Sequence, residues 1–78
     1  MLDRAAFLAE LAEILDVDAG TLTPGTELGT LENWDSVAHL SAMVLIDEKC
    51  GVAIAPDALI SARTVSDLMR AAGHGIRP

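Results

Sequence analysis

Along residues 3–15 the apolar positions Phe7, Leu8, Leu11, Ile14 and Leu15 recur at helical spacing, with Glu10 and Glu13 on the opposite side. Asp3 can cap this segment, and the alanines around it favour a helix intrinsically. A second run covers residues 36–50. Val37, Leu40 and Val44, with Met43 and Ile46, form an apolar stripe that Asp47, Glu48, Lys49 and Gly51 bring to an end. "VAIAP" then reads as an extended link, because the residue before Pro56 is biased away from helix. Residues 57–61 allow one helical turn. The last helix opens at Thr64, where a Thr followed three residues later by Asp67 resembles a capping box, and Leu68, Met69 and Ala72 continue it to Gly73.

Between the first two helices, residues 16–35 lose all periodicity and carry three glycines and a proline. Val17, Leu22, Leu28, Leu31 and Trp34 are scattered through this stretch, so it is expected to pack on the helices. A loop this long in a small domain is commonly functional. No strand pattern is strong enough to build a sheet. The pattern therefore predicts an all-α four-helix bundle, with a long first connection and a short third helix. Residues 1–78 form a single domain, with 73–78 expected to fray. Leu40, Val44, Ile54, Leu59, Val65 and Leu68 are assigned to the core.

Composition narrows this picture. At 78 residues the chain lies near the lower limit for a core held by packing alone. One cysteine forms no internal disulfide, and the two histidines show no metal-ligand spacing with it. Aromatic residues are limited to Phe7 and Trp34, so the core is aliphatic. The net charge of −7 is uneven: residues 1–60 hold eleven acids against Arg4 and Lys49, and the rest is weakly basic. Such an acidic body argues against nucleic acid and anionic membranes, and suits steering toward basic protein partners. The strong apolar run from Ala42 to Ile46 is far too short to span a bilayer, and no leader pattern is visible. A cytoplasmic monomer is expected.

Candidate chemistry centres on "ENWDSVAHL", residues 32–40. Asp35 and Ser36 stand where an ordinary helix cap would stand, so a structural role competes with a functional one. Ser36 and His39, three residues apart, share a helix face, but the sequence offers neither the orienting group nor the oxyanion site that hydrolysis needs. Asp16, Asp18 and Glu27 match part of a calcium-loop pattern that then lacks its turn glycine and a ligand. Cys50 is read as a small buried hydrophobe.

With the helices placed, "WDSVAHLSAMVLIDEKCGVAIAPDALISARTVSDLM" closely resembles the acyl and peptidyl carrier protein family over nearly the whole chain. The Asp-Ser-aliphatic motif, the acidic end of the second helix, the Gly-Val-x-Ile-x-Pro link and the Thr-Val-x-Asp-Leu opening fall in the family's register. The resemblance implies a four-helix bundle of acyl-carrier type. It also implies a covalent 4′-phosphopantetheine, derived from coenzyme A, on Ser36 between Asp35 and Val37. The arm's thiol would hold an acyl or aminoacyl group as a thioester, and the chain would be a carrier rather than an enzyme. The implied partners are a phosphopantetheinyl transferase, an acyl- or amino-acid-loading enzyme and downstream biosynthetic enzymes. They are expected to meet Trp34, Val37, Ser41 and Met43, with Asp47 and Glu48 giving electrostatic guidance.

Two departures from the family pattern refine this. Val37 replaces the usual Leu, and Ala38, His39 and Ser41 stand where fatty-acid carriers often present acids. Both favour a polyketide, nonribosomal-peptide or related specialised pathway. A fatty-acid carrier and an unmodified helical interaction module are the alternatives.

Overall fold

The computed structural model describes residues 2–77, with the side chains of His74 and Arg77 excepted. Its described residues form four α-helices: α1 (Arg4–Leu15), α2 (Ser36–Leu45), α3 (Pro56–Ser61) and α4 (Val65–Ala72). α1 starts where the Asp3 carboxylate accepts the Ala6 N–H at 2.7 Å. It stops at Asp16, whose left-handed backbone (φ 56°) turns the chain away. Phe7, Leu11, Ala12 and Leu15 lie on its buried side. Burying each of the larger ones contributes about 1.5–3 kcal/mol.

On α2 the inward residues are Ala38, Ala42 and Leu45, followed by Ile46. Val37, Leu40 and Val44 point outwards and are 71%, 64% and 52% exposed. This corrects the assignment of Leu40 and Val44 to the core. α2 is apolar on nearly every side, so periodicity could not select the buried one. The small side chains of Ala38 and Ala42 let the helix backbone approach its neighbours closely. After Leu45 the helix widens into a π-helical turn, Ile46–Cys50, which ends at Gly51 with φ 73°. Ile46 and Cys50 are buried there.

α3 begins at Pro56, whose fixed φ and missing N–H suit a first helical turn. It buries Leu59 and leaves Ile60 exposed. At α4 the expected capping box is complete. Thr64 Oγ1 accepts the Asp67 N–H at 3.3 Å, and Asp67 Oδ2 accepts the N–H groups of Thr64 (3.2 Å) and Arg63 (2.9 Å).

The long connection is packed, as its scattered leucines require. It contains two 3₁₀ turns, Ala19–Thr21 and Leu28–Thr30, and buries Leu22 and Leu28. Backbone bonds tie it to the start of α4: Leu28 N–H to Arg63 C=O (2.8 Å), Val65 N–H to Thr26 C=O (3.0 Å) and Ser66 N–H to Pro24 C=O (2.8 Å). Asn33 Nδ2 donates to the Leu15 carbonyl at 2.9 Å, fixing the far end of the loop to α1. The site that follows α2's start is thus held from two sides.

The end of the chain departs from expectation. Residues 73–75 make a 3₁₀ turn, and β2 (Ile76–Arg77) pairs in parallel with β1 (Leu2–Asp3). Gly75 lies so close to Cys50 that an added Cβ would stand 2.5 Å from the Cys50 Cβ and carbonyl oxygen. Only glycine fits there. The segment expected to fray is instead docked through residue 77, and Pro78 falls outside the described residues.

Candidate functional site

The start of α2 separates two side chains that sequence alone could not. Asp35 has extended backbone (φ −122°, ψ −169°), and its Oδ1 accepts the Ala38 N–H at 3.0 Å. Asp35 is therefore the cap. Ser36 is the first helical residue, exposed, and its hydroxyl makes no hydrogen bond among the described residues. A hydroxyl placed so adds nothing to the helix and is open to chemistry. The helix start also leaves backbone N–H groups without intrahelical partners and presents positive potential.

Ser36 opens onto a groove of about 370 Å³ between α2 and α3, lined also by His39, Leu40, Met43, Pro56, Leu59 and Ile60. Beyond His39 and Ile60, which belong to both, lies a second groove of about 510 Å³. It carries Glu27, Thr30, Trp34 and Arg63. The Trp34 and His39 rings meet edge to face, 4.4 Å apart at 63°. His39 Nε2 is buried and has no hydrogen-bond partner among the described residues. Ser36 and His39 share the first groove without a hydrogen bond between them.

The expected partner-binding residues divide by exposure. Val37, Asp47 and Glu48 are exposed, Ser41 is half-buried, and Trp34 and Met43 are partly buried against the core. Sequence reasoning placed Leu40 and Val44 in the core and missed Ile60. With Val37 they are the large apolar side chains left exposed. The signal was available in Ala38 and Ala42. Two small residues one turn apart mark the side where a neighbouring helix comes close, which leaves the bulkier side chains to face out.

Other reactive groups are held away from this chemistry. Burial pushes the Cys50 thiol above its ordinary range, so it stays protonated at neutral pH. Lys49 pairs with Glu10 at 2.8 Å, and that hydrogen bond and charge raise its pKa. Among the described residues, no group of three His, Cys, Asp or Glu side chains is placed to hold a metal ion. Nor is any described helix long and apolar enough to cross a membrane.

Residues 5–72 match the model of the family described as the phosphopantetheine attachment site. The chain is 39% identical over 67 residues to the acyl carrier protein MbtL of Mycolicibacterium paratuberculosis, covering 86% of this chain and 75% of that protein. Acyl carrier proteins MbtL of Mycobacterium bovis and Mycobacterium tuberculosis are 36% identical over 61 residues, covering 78% of this chain and 73% of theirs. No solved structure gives a significant match. A match over this span, on a four-helix frame with an open helix start, places the chain in the family of carrier proteins that bear a covalently attached 4′-phosphopantetheine.

Proposed function

We propose that Ser36 is the residue that carries the phosphopantetheine, and that the chain is a substrate of its partner enzymes without catalysis of its own. The observation that carries this reading is the division of labour at the start of α2. Asp35 caps the helix, and the Ser36 hydroxyl is exposed and has no hydrogen-bond partner among the described residues. The residues present fit the group. A phosphodiester on Ser36 Oγ would stand at the positive end of α2, beside its first backbone N–H groups, and the groove next to it would accept a slender chain. When bound, the arm supplies a terminal thiol on which an acyl or aminoacyl group is held as a thioester.

This chain's residues anchor, orient and present. Val37, Leu40 and Val44 form an apolar ridge along α2, with Ile60 across the groove and the acids Asp47 and Glu48 at its far end. A phosphopantetheinyl transferase, a loading enzyme and later biosynthetic enzymes dock on this ridge. Area-based burial of its aliphatics supplies the affinity, and the acids speed encounter. Relatives named acyl carrier proteins favour acyl cargo. The non-acidic face of α2 favours a polyketide, nonribosomal-peptide or related specialised pathway over a general fatty-acid one. The protein works as a cytoplasmic monomer.

Intact mass after incubation with coenzyme A and a broad-specificity phosphopantetheinyl transferase tests the reading. A gain of one phosphopantetheine is expected. An unchanged mass would leave only an unmodified helical interaction module.

A further inference from the structure

We propose that His39 positions the part of the arm nearest Ser36, through a hydrogen bond between its Nε2 and an amide of the pantetheine lying in the groove between α2 and α3. This rests on Ser36 being the attachment residue. Two unmet demands point to it. The first belongs to the protein: His39 Nε2 is the buried side-chain polar atom that lacks a partner among the described residues. Such an atom costs free energy until something satisfies it. The second belongs to the arm, a linear chain interrupted by amides. Apart from Ser36 and His39, the groove is lined by Leu40, Met43, Pro56, Leu59 and Ile60. An amide entering such a place loses its water and needs a replacement partner.

The placement suits the task. His39 follows Ser36 by three residues, so both stand on one face of α2, about one turn apart. The imidazole meets Trp34 edge to face, a contact that spends none of its hydrogen-bonding capacity. Nε2 is closed to solvent, so the arm reaches it only as neighbouring side chains change rotamer; Ile60, which lines the groove together with His39 and is 66% exposed, is free to do so. His39 touches no bond that is made or broken. It is a positioning residue.

Nitrogen-15 NMR of the imidazole in the apo and holo proteins tests this directly. Conversion to holo should move the Nε2 resonance by several ppm and produce cross-relaxation between the ring protons and the pantetheine methyls. Exchange of the engaged arm amide should be about fivefold slower than in holo His39→Leu protein. His39→Gln, which keeps a polar group of similar reach, should recover part of that protection. An Nε2 resonance identical in apo and holo wild-type protein would overturn the inference. Equal amide exchange in wild type and His39→Leu would do the same. Because the wild-type comparison needs no variant, a poorly folding substitution does not decide the matter. Failure to gain phosphopantetheine mass would instead overturn the Ser36 assignment, and is read separately.

Discussion

Two helices in this molecule start on similar chemistry and use it differently. At α4, Thr64 takes the capping position and its hydroxyl is engaged by the Asp67 N–H, while Asp67 returns the bond to the backbone. At α2, a carboxylate takes the capping position one residue earlier, and the Ser36 hydroxyl is left over. A hydroxyl at a helix start is therefore structural or available depending on one residue of register. When an acid precedes it and occupies the cap, the hydroxyl is released while the helix stays capped. The loop bonds sharpen the contrast. The 16–35 connection docks on α4's start through backbone hydrogen bonds, whereas it meets α2's start through the Asp35 cap and the Trp34–His39 ring contact and leaves Ser36 open.

The largest expected effect is on the structural side. Thr64→Ala should cost about 1 kcal/mol, the usual value of a lost cap, which lowers the melting temperature by about 4–8 °C in a domain this size. Modification by the transferase should be unaffected. Calorimetry and intact mass on the same sample check both. Asp35→Ala should lose a similar amount, about 1 kcal/mol, but here the rate of modification should fall as well, because the first turn that presents Ser36 frays. A wild-type rate would confine Asp35 to capping.

Acid should separate the two starts next. The N–H groups of Arg63 and Thr64 hold the Asp67 carboxyl below its ordinary value of 3.8. A folded-state pKa below the unfolded one stabilises the fold above the unfolded value, and that contribution is lost as pH falls through the folded one. Melting temperature should therefore drop as pH is lowered from 5 toward about 3, and less steeply in Asp67→Asn. Equal slopes would remove Asp67 from the account. The smallest effect is on Ser36 itself. Ser36→Ala should change stability by less than about 0.5 kcal/mol. A loss as large as that of Thr64→Ala would show that both hydroxyls are structural and would break the comparison.

Much of this was legible in the chain. The α1 pattern, the Asp3 cap, the Thr64 box and the short helical turn after the "VAIAP" link are local signals, and the structure realises each within a residue or so. The family register pointed to Ser36 as well. What local signals could not decide was orientation. α2 is apolar all round, so choosing Ala38 and Ala42 as its inner side depends on how closely α1 and α3 approach, which is a tertiary fact. Leu40 and Val44 were misplaced for that reason. The docked tail was hidden similarly. Its anchor is the absence of a side chain at Gly75 against Cys50, a contact between residues far apart in sequence. Ile60 and the orphan Nε2 of His39 likewise emerge only when α3 lies across α2.

The central claim is that the free hydroxyl at the α2 start, and not the engaged one at α4, receives the arm. Incubating wild-type, Ser36→Ala and Thr64→Ala proteins with coenzyme A and one broad-specificity phosphopantetheinyl transferase, then measuring intact mass, tests it most directly. Wild type and Thr64→Ala should each gain one phosphopantetheine, and Ser36→Ala none. A gain that survives Ser36→Ala, or no gain in wild type, would contradict the account.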